Sequence, residues 1–225
     1  MDEERFDITS NCRDFDEENL DMRLEVARGF VTEFAAHAAP QRSLDDSNKE
    51  WTRSIRRRLN AMCPNDCYMC PPDPDSSKGE YLVDFVWGEK NLGQRVLLAG
   101  ESEWATDRYG KETRWSLVEE DFEKLLSVKA PFKVLVFSSD LNIAESLGAL
   151  DGDFSIGFAK TRLKASLKGY GHHLAGEVYV FIDFPATGDP AGPGLFRSFI
   201  WQVKTFGAAG AVIFTDGPTG KLLRP

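Results

Sequence analysis

Two apolar, β-rich runs, "EYLVDFVWG" at 80–88 and "QRVLLAGESEW" at 94–104, stand only a short Gly-Glu-Lys-Asn turn apart. A connection that short joins antiparallel neighbours, because a parallel pair needs a long crossover. The two runs therefore predict a β-hairpin, and the hairpin carries acids that an ordinary sheet does not need. Strand side chains alternate, so Glu101 and Glu103 point to one face, following Leu97 and Ala99 toward the end of the core-facing row. On the first run Asp84 is embedded among Leu82, Val83, Phe85 and Val86. A carboxylate inside so apolar a strand is costly unless it is paired or bound to a metal.

The rest of the chain alternates between the two periodicities. "MRLEVARGFVTEFAAHA" places Leu24, Val26, Ala27, Phe30, Val31 and Phe34 at helical spacing, and "SLDDSNKEWTRSIRRRLNAM" opens on cap-like residues as a second helix. "CPNDCYMCPPDPDSSKG" has the composition of a loop. After the hairpin, "RWSLVEEDFEKLLSV" repeats an apolar stripe through Trp115, Val118, Phe122, Leu125 and Leu126, and "PFKVLVFSS" is a buried strand. Helical segments are expected near 140–149 and 155–168, and "GEVYVFIDF", "LFRSFIWQVK" and "GAAGAVIFTDG" are strand-like. This order predicts an α/β (α+β) architecture, a central mixed sheet flanked by helices. Residues 1–20 are expected to form an acidic arm, and 21–225 one domain with a β-rich extension over about 176–216.

Charge and hydropathy narrow the functional classes. The 225-residue chain has a net charge of −9, which argues against general, non-specific nucleic-acid binding through a basic surface. Two local basic groups remain: Arg53, Arg56, Arg57 and Arg58 in "WTRSIRRRLN", and Lys160, Lys164 and Lys168, which a helix lines up as one stripe. Such a stripe is either a solvated helix face or an anion-binding surface. No apolar run approaches the roughly 20 residues of a membrane span, and the acidic N-terminus lacks the apolar stretch of a signal peptide, so a cytoplasmic protein is expected.

Acids converging from adjacent strands repel one another, and a divalent cation relieves that repulsion. Mg²⁺ or Mn²⁺ takes hard oxygen ligands, typically one or two carboxylates with waters and phosphate oxygens. It then polarises a phosphate and generates a hydroxide near neutral pH. The other reading is structural: Glu101 and Glu103 exposed at a strand end and paired with Arg95, Lys111 or Arg114, and Asp84 bonded to a backbone amide or an arginine.

Asp84, sixteen residues, and then "ESE" at the tip of the next strand resembles the PD-(D/E)XK nuclease superfamily, the restriction-endonuclease-like fold. The resemblance covers roughly residues 47–138, where a helix, strands, a helix and a further strand follow much of that family's core order. It implies a metal-dependent endonuclease hydrolysing phosphodiester bonds in DNA (or RNA), DNA being the first expectation, with Asp84 and Glu101 as metal ligands. Where the family has a lysine this chain has Glu103, which the resemblance casts as a ligand or water-activating base, with Lys124, or else Lys129, supplying the displaced positive charge. Glu50 corresponds to an accessory acid carried on the first helix by many members, and dimers are common among them. Arg56, Arg57, Lys160, Lys164 and Lys168 are the expected contacts to the nucleic-acid backbone. A catalytically silent domain of the same fold, acting on a protein partner, is the alternative.

Cys63, Cys67 and Cys70 are spaced C-x₃-C-x₂-C. That spacing also occurs in radical enzymes that use S-adenosylmethionine, but those need a far larger barrel than this chain provides. A structural zinc knuckle completed by Cys12 or a histidine, an iron–sulfur cluster, and a loop of free thiols all remain open. His172 and His173 sit in a Gly-rich turn as ligands, phosphate contacts or ordinary loop residues, and with His37 they are too few to support a hydrolase triad. "GDPAGPG" and "DGPTGK" lack the features of a nucleotide-binding loop. Phe196, Phe199, Trp201 and Phe206 are expected to pack in the core rather than to stack on bases.

Overall fold

A computed structural model describes residues 20–36, 48–73, 75, 82–90, 95–103, 111–137, 154–174, 176–184, 197–206 and 212–216. The elements, in chain order, are α1 (Leu20–Ala36), α2 (Asn48–Met62), β1 (Cys67–Cys70), β2 (Phe85–Glu89), β3 (Val96–Glu103), α3 (Lys111–Ser127), β4 (Phe132–Phe137), α4 (Phe154–Gly169), β5 (Val178–Asp183), β6 (Arg197–Phe206) and β7 (Val212–Asp216). The expected helix near 140–149, the acidic arm, Cys12, His37, Phe196 and both glycine-rich loops lie outside the described residues.

The seven strands form one mixed sheet in sequence order. β1, β2 and β3 are an antiparallel meander, β3–β4 and β4–β5 are parallel, and β5–β6–β7 are antiparallel again. Each parallel step encloses a helix, α3 between β3 and β4 and α4 between β4 and β5, because a parallel neighbour can be reached only by a crossover. The protein is thus α/β, with helices on both faces of the sheet.

Alternation along the strands sorts the core into two layers. Phe132, Val134 and Val136 of β4 and Val178, Val180 and Ile182 of β5 pack with Ala27, Phe30 and Phe34 of α1 and Ile55, Leu59 and Met62 of α2. Leu135, Phe137, Tyr179 and Phe181 face the other way, against Val118, Phe122 and Leu125 of α3 and Ala159, Leu163 and Leu167 of α4. Phe199 and Trp201 join this second layer, with the Phe199 ring stacked on Phe181 at 4.5 Å between centroids. They are core residues, as the sequence suggested.

Two boundaries differ from the sequence reading. β1 lies within the segment expected to be loop: "CYMC" pairs with Val86–Glu89 and alternates buried and half-buried residues, which four residues flanked by Pro and Asp do not advertise. The first hairpin strand starts at Phe85, and Leu82–Asp84 bend away from the ladder, leaving Leu82 exposed.

A buried polar cluster occupies the α3/α4 layer. The Lys133 ammonium donates to Glu177 Oε1 at 3.1 Å, to the Tyr179 hydroxyl at 3.2 Å and to the Leu126 carbonyl at 3.3 Å. The Tyr179 hydroxyl donates to Glu177 Oε2 at 2.7 Å, and His173 Nε2 donates to the Leu167 carbonyl at 2.7 Å. His173 is therefore an enclosed part of this cluster, whereas His172 is exposed beside the Tyr170 ring. Burial disfavours the Glu177 carboxylate, but the His173 hydrogen bond and the Lys133 charge outweigh it and hold the carboxyl below its usual range.

Three stability outcomes follow from this packing. A Cβ on Gly100 would stand 2.0 Å from the fully buried Phe85 ring, so Gly100→Ala should cost about 1–3 kcal/mol by overpacking. Glu177→Ala leaves the Lys133 charge buried without its carboxylate and should cost about 3–5 kcal/mol. Arg162→Ala removes an exposed bidentate pair with Glu119 and should cost under about 1 kcal/mol. Urea unfolding of the three variants checks this order.

Candidate functional site

Three elements bring the acids together: the residue before β2, the end of β3, and the second half of α3. Phe85 pairs with Gly100, so Asp84 stands opposite Glu101. The Asp84 amide donates to Glu101 Oε2 at 3.3 Å. Asp84 Oδ2 accepts from the Ser102 amide at 2.9 Å and from the Ser102 hydroxyl at 2.8 Å. With its proton committed to Asp84, Ser102 Oγ accepts from the Thr52 hydroxyl of α2, 3.2 Å away. Asp84 Oδ1 faces the Arg56 guanidinium at 3.3 Å.

The acid in the apolar run is thus held by a backbone amide, a hydroxyl and an arginine. This takes Arg56 out of the set of surface phosphate contacts: it is buried, and its guanidinium is turned onto Asp84. Arg57 is exposed and pairs with Asp75.

Glu101 and Glu103 share a face, and that face meets α3. Glu101 is only 3% exposed, and its Oε1 lies 3.9 Å from the Lys124 ammonium. Lys124 also bonds Asp121 Oδ1 at 2.5 Å, and Asp121 hydrogen-bonds Glu103. Two carboxyls bonded to each other must hold a proton between them. Burial first, then the charges of Asp84 and Asp121, pushes Glu101 up to about 9. Burial followed by Asp121 pushes Glu103 up to about 7. Burial works against the Lys124 ammonium, but the Asp121 bond and the surrounding acids outweigh it and raise its pKa above the usual lysine value.

Asp121 is the member that the sequence reading missed. It sits three residues after Val118 and four before Leu125, on the buried stripe of α3, among acids that otherwise face outward. An acid in register with an apolar stripe was the available signal. Lys129 is exposed beyond the end of α3, so of the two candidate lysines only Lys124 is placed among the acids. Glu50 lies in the first turn of α2, with its side chain outside the described residues, as are those of Lys111 and Arg114.

Among the described residues no group of three or more His, Cys, Asp or Glu is arranged to hold a metal ion. Asp84 and Glu101 are neighbours through the Asp84 amide, while the Asp84 carboxylate turns to Ser102 and Arg56. Cys63, Cys67 and Cys70 do not all share one face of the sheet. Cys63 and Cys67 pack with the α1/α2 layer, whereas Cys70, three residues further along β1, packs with the α3/α4 layer. An odd separation on a strand sends side chains to opposite faces. Burial raises the pKa of all three thiols, to about 11 for Cys63 and about 12 for Cys67, so thiolate formation is disfavoured.

The basic stripe lies in the same layer as the acids. Arg162 of α4 makes a bidentate pair with Glu119 of α3, and Lys160, Lys164 and Lys168 recur along α4. The Lys160 ammonium is 5.1 Å from the centroid of the Phe199 ring. No helix among the described residues is long and apolar enough to cross a membrane. No protein-family model, curated protein or solved structure matches this chain.

The raised carboxyl values predict how stability depends on pH. The folded protein holds protons that the unfolded chain has released, on Glu103 up to about pH 7 and on Glu101 up to about pH 9, so stability falls as pH rises from about 5. Glu101→Gln keeps the shape and removes the larger of the two ionisations. Its stability should gain on the wild type as pH rises from 5.5 to 9, by something on the order of a few kcal/mol. Metal-free urea unfolding at the two pH values checks this, and an unchanged pH slope would contradict the burial of an ionisable Glu101.

Proposed function

We propose that this protein is a divalent-metal-dependent nuclease with a PD-(D/E)XK-like site, hydrolysing phosphodiester bonds in DNA in preference to RNA. One observation carries the reading: Asp84 and Glu101 are hydrogen-bonded neighbours at the carboxyl end of β3, and Lys124 of the following helix stands 3.9 Å from Glu101. The order helix, three-stranded meander, helix, parallel strand around them supports it. So does the electrostatics, since buried acids that hold protons when metal-free would release them to a dication.

Asp84 and Glu101 would hold Mg²⁺ or Mn²⁺, which supplies a polarised phosphate and a water acidic enough to ionise near neutral pH. Lys124 places a cation beside Glu101, in the position to balance charge on the phosphate. Glu103 shares its proton with Asp121 and becomes a base once that proton is lost. The lysines of α4, in the layer of the acids, would contact the strand backbone.

A second reading has its own observation. Asp84 is already satisfied by Arg56 and Ser102, as in a catalytically silent domain of this fold that serves as an interaction module.

Cleavage of single- and double-stranded DNA and RNA with Mn²⁺ or Mg²⁺ decides between the two. The enzyme reading expects metal-dependent cutting that falls about 10³-fold in Glu101→Ala and about 10²-fold in Lys124→Met. It also expects calorimetric Mn²⁺ binding that Asp84→Asn weakens. Cutting by Glu101→Ala at the wild-type rate would refute the assignment, and absence of Mn²⁺ binding by the wild type would favour the silent module.

A further inference from the structure

Lys124 is the cation of the acidic centre, yet its hydrogen bond is not to Glu101. The 3.9 Å between its ammonium and Glu101 Oε1 is an ion-pair distance, beyond the reach of a hydrogen bond. The Lys124 side chain is 47% exposed, and a lysine at a helix surface has a flexible stem that can turn its charge into water. What fixes the ammonium is Asp121, one turn earlier on α3, whose Oδ1 it meets at 2.5 Å. Asp121 has little freedom of its own. Its side chain is 13% exposed, on the buried stripe between Val118 and Leu125, and it is hydrogen-bonded to Glu103 at the end of β3. Burial works against the Lys124 ammonium, and among the groups that offset it Asp121 comes first, ahead of Glu101 and Asp84.

We propose that Asp121 is the positioning residue of this centre, holding Lys124 beside Glu101 when metal and substrate occupy it. The proposal rests on the nuclease reading and adds to it the group that keeps its lysine in place. A dication on Glu101 would take up the charge that attracts the ammonium and would itself repel it. Lys124 then needs an anchor outside the ligand pair, and Asp121 is such an anchor, with Glu103 and Lys124 as its bonded partners. Spacing of three residues sets Asp121 and Lys124 side by side on one helix face, so anchor and cation move together. Glu103 braces the pair from the sheet. Asp121 acts through Lys124 rather than on the substrate, and this fixes what its loss should look like.

Cleavage kinetics with Mn²⁺ and NMR relaxation of the Lys124 ammonium nitrogen, both on the full chain, test this. Asp121→Ala should lower kcat about ten-fold or more with KM little changed, because the charge of Lys124 is needed in the transition state. Asp121→Asn keeps an acceptor oxygen but loses the charge, so its kcat should lie between those of the wild type and Asp121→Ala. The double variant Asp121→Ala/Lys124→Met should be no slower than Lys124→Met, since an absent lysine needs no anchor. In the metal-free protein the ammonium should be ordered in the wild type and mobile in Asp121→Ala. Removing a carboxylate from beside Glu101 and Glu103 relieves like-charge repulsion, so Asp121→Ala should stay folded. If it does not, Asp121→Asn, of nearly the same shape, carries the cycle with Lys124→Met.

Losses that multiply in the double variant overturn the proposal, and so does an ammonium equally ordered with and without Asp121. Cutting at the wild-type rate by Asp121→Ala or by Lys124→Met overturns it as well. If the wild type cuts no substrate, the nuclease reading fails and the catalytic part of this pair falls with it, whatever the relaxation shows. If the wild type cuts and the losses multiply, the nuclease reading stands and the positioning role of Asp121 alone is lost.

Discussion

Parallel pairing of β3, β4 and β5 is the constraint on which the rest of the structure depends. Parallel strands need crossovers, and crossovers deposit helices on the sheet, so both faces of β4 and β5 are buried. The same geometry aligns the carboxyl ends of the three strands, with Glu103, Phe137 and Asp183 in one register row. That end of the strands is where open α/β sheets tend to bind ligands. The acids of β3 owe their position to this arrangement, and α3 completes it by returning over them with Asp121 and Lys124.

Asp84 links this centre to the other layer. Its carboxylate takes the Ser102 amide at the end of the β2–β3 ladder and reaches Arg56 of α2, while its own amide donates to Glu101. The residue is at once a clamp for the meander and the nearest acid to Glu101. These roles compete for the same oxygens. A cation bound at Oδ1 would face the Arg56 guanidinium across one carboxylate, so a change in Arg56 is the rearrangement that metal binding would require. Enzyme and silent module differ physically in whether that pairing can yield.

Much of the fold was legible because its elements follow strict periods. The stripes of α1 and α3 and the near-continuous apolar runs of β4 and β5 were readable from single segments, and "LFRSFIWQVK" and "AVIFTD" announced β6 and β7. β1 was not, since its four residues acquire strand character only by pairing with β2. At the site, alternation placed Glu101 and Glu103 on one face, and the choice of Lys124 over Lys129 rested on helix position. What the sequence could not show was long-range: Arg56 and Ser102 converging on Asp84 are 28 and 18 residues from it in the chain. The same limit applied to the cysteines, whose spacing left a shared metal and free thiols both open and did not show Cys67 and Cys70 on opposite faces of β1.

The two faces of the sheet hold opposite, unbalanced charge. Toward α3, Glu101, Glu103 and Asp121 face one lysine, and burial holds protons on the glutamates. Toward α1, Arg58 lies against the Phe34 and Phe184 rings, with no carboxylate partner among the described residues. Neither imbalance improves packing: a protonated carboxyl pair contributes little beyond a neutral hydrogen bond, and a leucine at Arg58 would fill the apolar stripe without the desolvation cost. Phosphodiester chemistry uses both kinds of group, but the two faces are separated by the sheet itself.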